Sequence, residues 1–209
     1  MYAAAQTSFQ QAEHVERTQI SGPYLVAPYQ AGREIYAEGD LIDKCYQVST
    51  GAVSVYRLLP DGRRQVVSFH LPGEMFGFEA GSNHSFFAEA ITETKLAVFG
   101  RRHMQERSRE LLALALTGMA RAQQHLLVIG RQCAVERVAA FLIDLCERQG
   151  GGRQLRLPMS RQDIADYLGL TTETVSRVVT KLKGRSVIAL RDARTIDIVK
   201  PDALRALCN

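Results

Sequence analysis

The sequence predicts an α+β chain: an N-terminal antiparallel β-roll of the jelly-roll kind, a long dimerisation helix, and a C-terminal winged helix-turn-helix. Three observations predict it. Glycines recur at Gly39, Gly51, Gly62 and Gly73, at intervals of 12, 11 and 11 residues, the turn spacing of short antiparallel strands. Leu112, Leu116, Met119, Gln123, Leu126 and Gly130 follow at intervals of 4, 3, 4, 3 and 4, the period of a coiled-coil seam. Finally, two short amphipathic segments meet at Gly169, the second with charged residues at its start. The divisions drawn are an arm at 1–20, a β-roll at 21–102, a dimerisation helix at 103–131 and a winged helix-turn-helix at 132–209.

The elements follow in order. Residues 1–20 are polar and Gln-rich without a strong period, which reads as an arm or short helix. Strand-like runs then lie at Tyr46–Val48, Val53–Tyr56, Gln65–Phe69 and Lys95–Phe99. Pro60-Asp61-Gly62 is a hairpin turn, with Pro presetting one dihedral and Gly accepting a positive φ. Residues 103–130 read as one helix with two apolar stripes. The seam faces a second copy, and Leu111, Ala115, Gly118, Ala122 and Ile129 face the β-roll. The alternative is a single helix buried in one core. A second helix at 134–149 ends at Gly150-Gly151-Gly152, and Leu155–Leu157 is a short strand before Pro158.

Charge points to a polyanion at the C-terminal end. The 209 residues carry a net charge of +4, yet residues 131–209 hold 14 Lys/Arg against 9 Asp/Glu and the remainder 12 against 13. Hydrophobic residues at 46% and charged residues at 23% fit an ordinary globular protein. No apolar run reaches the ~18 residues of a membrane helix, and Met1–Gln11 lacks a signal-peptide pattern, so a cytoplasmic location is expected. Cys45, Cys133, Cys146 and Cys208 have no C-x-x-C spacing, and the five histidines have no metal-ligand spacing. Cys146 is expected in the core, Cys45 half-buried, and Cys208 the exposed, candidate reactive thiol. No cofactor or metal is expected, and the absence of a nucleophile elbow, P-loop or dinucleotide fingerprint argues against an enzyme.

The helix-turn-helix carries the functional reading. Ser160 can cap a helix at 161–168, with Asp163 completing a variant capping box. Gly169 ends it, and a second helix starts at Thr171 or Thr172 and runs to about Lys183. Ile164, Ala165, Leu168, Val175, Val178 and Leu182 supply the contacts between the two helices. Glu173, Ser176 and Arg177 share the exposed face at the start of the second helix. Their chemistry suits major-groove edges: Arg for guanine, Glu for cytosine N4, Ser for several bases. An i, i+4 pair that only supports the helix is the plainer alternative. Thr172, Lys181, Lys183 and Arg185 are candidate phosphate contacts. Val187–Leu190 and Thr195–Val199 form a wing across Arg191–Arg194, and Pro201 opens a final short helix.

The stretch MSRQDIADYLGLTTETVSR at 159–177 closely resembles the DNA-reading motif of CRP/FNR regulators. Glu173-Thr174-Val175-Ser176-Arg177 has the Glu-x-x-Ser-Arg form of the FNR side, and the resemblance spans nearly the whole chain. Its nearest match is the branch that activates micro-oxic respiration and nitrogen-fixation genes. The resemblance implies a homodimer on double-stranded DNA, with Glu173 and Arg177 reading C and G of a TTGA/TCAA-type half-site. Ser176 would separate FNR-like from CRP-like sites, and Ser160, Arg161, Gln162 and Thr171 would hold phosphates. It also implies RNA polymerase as a partner. The chain departs from the family at its sensors. Where CRP-like members carry an Arg-Ser pair for cyclic AMP, this chain has His84-Ser85, followed by Phe86 and Phe87, although Gly73-Glu74 is kept. An exposed imidazole lacks the permanent charge and fork of arginine, so Glu74, His84 and Ser85 read as a vestigial effector pocket. No cysteine precedes Cys45, which removes the FNR-type iron–sulfur ligands. DNA binding without a small effector is therefore expected. The alternative is the same scaffold as a sensor holding a nucleotide, haem or other ligand in the β-roll.

Overall fold

The computed structural model describes residues 25–106 and 108–208; the expected arm at 1–20 lies outside the described residues. Eight strands come first: β1 (Leu25–Tyr29), β2 (Glu34–Tyr36), β3 (Lys44–Thr50), β4 (Val53–Leu58), β5 (Arg64–His70), β6 (Met75–Phe76), β7 (Phe87–Ala90) and β8 (Thr94–Gly100). They form two antiparallel four-stranded sheets, in the orders β1-β8-β3-β6 and β2-β7-β4-β5. Each of the four strand-like runs lies within one of these strands. The four spaced glycines all take left-handed φ values of 96°, 90°, 81° and 91°. At Gly51 a Cβ would also lie 2.4 Å from the Glu93 carbonyl oxygen, so no side chain fits that turn. Tyr36, Tyr46, Val48, Val53, Val55, Phe76, Ala88 and Leu96 fill the space within the roll.

Helices α1 (Arg101–Glu106) and α2 (Ser108–Ile129) occupy the region expected to be one helix, with residue 107 between them outside the described residues. The seam residues Leu112, Leu116, Met119, Gln123, Leu126 and Gly130 are all exposed on the single chain. The second stripe differs from expectation. Leu111 packs with Cys45, Ala97 and Phe99, and Ala115 is half-buried, but Gly118 and Ala122 are exposed. Inward contacts continue instead through His125 and Val128, and through the guanidinium of the partly exposed Arg121. These positions keep the helical period, but two are polar, so a search for apolar residues passes over them.

The chain continues through α3 (Ala134–Arg148), β9 (Gln154–Arg156), α4 (Arg161–Leu168), α5 (Thr172–Gly184), β10 (Ile188–Leu190), β11 (Thr195–Ile198) and α6 (Pro201–Ala206). The last three strands form a sheet in the order β10-β11-β9. One apolar core runs from this unit into the β-roll. Val66, Phe69 and Leu71 belong to the same cluster as Phe141, Leu142, Ile164 and Leu182.

The cysteines correct two expectations. Cys45 is fully buried rather than half-buried, its thiol pushed up to about 12 by burial. Cys208 is not the exposed thiol. Its carbonyl accepts from Arg131, its Sγ–H points at the Leu204 carbonyl at 3.7 Å, and burial raises its pKa. A chain end that folds back onto the core loses the exposure that its position suggests. Cys133, before α3, is the exposed one, and Cys146 is buried as expected.

Candidate nucleic-acid interface

The helix-turn-helix is held by local chemistry legible in its sequence. Ser160 Oγ accepts from the Asp163 backbone N–H at 3.1 Å, while the Asp163 carboxylate accepts from the Ser160 N–H at 2.8 Å, a reciprocal capping box. Gly169 takes the left-handed C-cap conformation at φ 62°. Thr171 caps α5 by accepting from the Thr174 N–H at 3.1 Å. Ile164, Ala165, Leu168, Val175, Val178 and Leu182, the six expected contact residues, are all buried. At its far end α5 closes with a Schellman motif: the Val187 N–H reaches the Leu182 carbonyl and the Ser186 N–H the Lys183 carbonyl. Ser186, at φ 54°, occupies the left-handed position usually given to glycine.

The buried stripe of α5 turns its other face outward. Glu173, Ser176 and Arg177 are exposed, with Thr180 one turn further on. Arg177 donates to Glu173 at 2.6 Å, and both side chains are largely in solvent. A pair this exposed contributes little to stability, so both groups are available to other partners. Of the other candidate contacts, Ser160, Gln162, Thr171, Lys181, Lys183 and Arg185 are exposed and Thr172 is half-buried. Gln162 is positioned from both sides, donating to Asp166 at 2.6 Å and accepting from the Thr172 hydroxyl at 2.5 Å. Arg161 is half-buried, and burial pulls its guanidinium below the usual value. Among the described residues no carboxylate pairs with it. A partly dehydrated cation at the N-terminus of α4 is a site that an anion would stabilise. In the wing, Arg191 is tied to Asp197 at 2.5 Å while Arg194 is exposed.

Of Glu74, His84 and Ser85, expected to share a vestigial pocket, Glu74 and His84 have different polar partners among the described residues. Glu74 is ion-paired with Arg148 at 2.7 Å and Arg121 at 2.9 Å. His84 is buried rather than exposed. Its ring stacks on Tyr36 at 3.7 Å between centroids, and Nδ1 lies 2.7 Å from Glu79 Oε1. Ser85 is exposed, with its backbone N–H donating to the other oxygen of Glu79. Phe86 packs into the roll core and Phe87 stacks on Tyr56. Sequence reasoning missed Glu79, Arg121 and Arg148 as the partners here. Arg148 stands 74 residues from Glu74, and no local spacing joins them.

Comparison with known proteins agrees with this geometry. Residues 26–110 match the cyclic nucleotide-binding domain family and residues 136–207 the Crp-like helix-turn-helix domain. The chain is 84% identical, over the full length of both, to the nitrogen fixation regulation protein FixK of Rhizobium meliloti (strain 1021). It is 40% identical to the protein of that name from Bradyrhizobium diazoefficiens, covering 86% of this chain and 80% of that one. The solved structure of FixK2 from Bradyrhizobium japonicum superposes with a TM-score of 0.85 at 39% identity, over 90% of this chain and 98% of that one. With a β-roll, an outward-facing α5 and relatives of this kind along its whole length, the chain belongs to the CRP/FNR family of transcription regulators and groups with the FixK proteins.

Proposed function

We propose that the protein is a homodimeric activator that binds a palindromic TTGA/TCAA-type site without a small-molecule effector and acts in nitrogen-fixation or micro-oxic respiratory control. The observation that carries the reading is the face of α5: Val175, Val178, Val179 and Leu182 are buried, leaving Glu173, Ser176 and Arg177 outward. Arg177 suits guanine O6 and N7, Glu173 suits cytosine N4, and Ser176 separates FNR-like from CRP-like sites. Ser160, Arg161, Gln162, Thr171, Thr172, Lys181, Lys183 and Arg185 contact phosphates and set the register. The exposed seam of α2 brings two chains together about a two-fold axis, with the reading helices ~34 Å apart. Residues 21–102 act as the roll, 103–131 as the dimerisation helix and 132–209 as the DNA-binding unit. RNA polymerase is the protein partner and the cytoplasm the location. The names of the FixK relatives support the nitrogen-fixation role, and that of the transcriptional activatory protein AadR of Rhodopseudomonas palustris, 37% identical, supports activation.

Effector independence draws its support from Glu74 and His84, whose carboxylate and ring Nδ1 respectively are engaged by partners within the chain. The test is a gel shift of ligand-free protein on a TTGA-N-TCAA-type duplex, repeated with cyclic AMP and cyclic GMP. Retardation without ligand, unchanged by either nucleotide, is expected. A tenfold gain in affinity, about 1.4 kcal/mol of coupling, would restore the sensor reading.

A further inference from the structure

The buried Glu74 carboxylate is gripped by cations of the chain itself. Glu74 follows β5, and its side chain is only 10% exposed. Arg148, at the end of α3, is 9% exposed and grips it through a fork: Nε donates to Oε1 at 3.0 Å and Nη2 to Oε2 at 2.7 Å. The same guanidinium donates to the Phe69 carbonyl at 2.6 Å and to Asp144 at 3.2 Å. Arg121, from α2, reaches Oε1 at 2.9 Å, and the Leu71 N–H donates to Oε2 at 3.0 Å. One carboxylate thus joins the roll, the helix with the exposed seam, and the helix that leads to the reading head. Aromatic rings lie beside it: Tyr167 packs 5.0 Å from Phe69 and stacks on His125 at 3.7 Å. A second tie joins the same two units, where Arg64 of β5 pairs with Asp163 and Asp166 of α4 and Gln65 donates to the Asp166 carbonyl at 2.7 Å.

We propose that Arg148 is a tethered effector: its guanidinium occupies the Glu74 site permanently and holds the helix-turn-helix and the dimer helix in the arrangement that DNA accepts. The inference rests on the effector-independent reading above and supplies its mechanism. An arginine stays charged at all relevant pH values and, being part of the chain, is never diluted. Swinging the reading head away would break the fork between two largely buried ions, leaving Glu74 with only Arg121 and the Leu71 N–H and Arg148 with only Asp144, which disfavours other arrangements. Apparent DNA affinity scales with the fraction of molecules already in the competent arrangement, so the clasp raises affinity without touching DNA. None of its members lies on the outward face of α5, and Ser160, Gln162 and Thr171 stay exposed while it is closed.

The test makes the tether removable. Arg148→Ala leaves space for a guanidinium beside Glu74. Full-length wild type, Arg148→Ala and the double variant Arg148→Ala/Glu74→Gln are compared for affinity to the TTGA-type duplex. Each is measured with no additive, with millimolar ethylguanidinium, and with ethylammonium at the same concentration as an ionic-strength control. Arg148→Ala is expected to bind about tenfold or more weakly, and to recover with ethylguanidinium but not with ethylammonium. The double variant should not recover. Circular dichroism and sedimentation establish that each variant is a folded dimer. If Arg148→Ala does not fold, Arg148→Lys, which keeps a cation and loses the fork, carries the test and should also bind more weakly. Wild-type or tighter binding by the folded Arg148 variant would overturn the clasp alone. A wild-type protein that needs an added ligand would overturn the effector-independent reading itself.

Discussion

Replacing Leu116 and Leu126 together by Glu should convert the protein to a monomer. In the single chain Leu112, Leu116, Met119 and Leu126 are 59%, 52%, 54% and 68% exposed, on one face of α2. Full burial of such a side chain is worth ~1.5–3 kcal/mol, so covering the exposed half contributes about 1 kcal/mol. A two-fold contact places eight of these side chains in the seam, about 8 kcal/mol before the cost of association. The two substitutions remove four of the eight, about 4 kcal/mol, which is about a thousandfold in the dimer dissociation constant. The carboxylates introduced opposite one another add repulsion. Sedimentation velocity at micromolar protein reads the assembly, and gel shift on a palindromic duplex reads its consequence. A dimer of undiminished DNA affinity would refute the seam assignment and place the two-fold contact on another surface.

Other expectations test separate parts of the chain. Arg177→Ala should relax discrimination at one G·C pair per half-site by ~1–3 kcal/mol. Arg161→Ala should instead weaken all sequences alike and flatten the salt dependence. Binding to a panel of single-base variants separates them, and uniform weakening by Arg177→Ala would assign it to phosphate. Ser186→Gly should raise stability by about 1 kcal/mol by removing the Cβ penalty of a left-handed position, read as a higher urea midpoint; a lower one would mean that the Ser186 side chain holds the turn. Burial lowers His70 and His125 from 6.5 to about 4. The unfolded chain therefore takes up protons between these values that the folded chain refuses. Stability should fall as pH drops through this window, by up to about 1.4 kcal/mol per pH unit for each histidine. Urea melts at pH 7 and pH 5 measure this, and His125→Gln should make the fall shallower; equal slopes in wild type and variant would remove His125 from the account.

Local chemistry was legible from residue order alone. The capping box at Ser160 and Asp163, the left-handed Gly169 and the turn glycines of the roll each act within a few residues. Their identity and spacing therefore carry the information. The same holds for the buried stripe of α5, where a 3.6-residue period leaves Glu173 and Arg177 outward once Val175, Val178 and Leu182 are placed inward. The long-range pairings were not legible. His84 reads as an exposed imidazole in sequence, but the fold stacks it on Tyr36 and aims it at Glu79. Cys208 reads as a free chain end, but α6 returns it to the core. Arg121 and His125 belong to neither apolar stripe of α2, yet Arg121 reaches Glu74 and His125 stacks on Tyr167. Arg64 meets Asp163 across 99 residues and Arg148 meets Glu74 across 74. A charged residue has no periodic signature that names its partner. Sequence alone thus determined that this chain has a β-roll, an amphipathic long helix and a DNA-reading head. Only the tertiary structure decided how the head is held to the roll, because that depends on which buried charges the packing brings within hydrogen-bond distance.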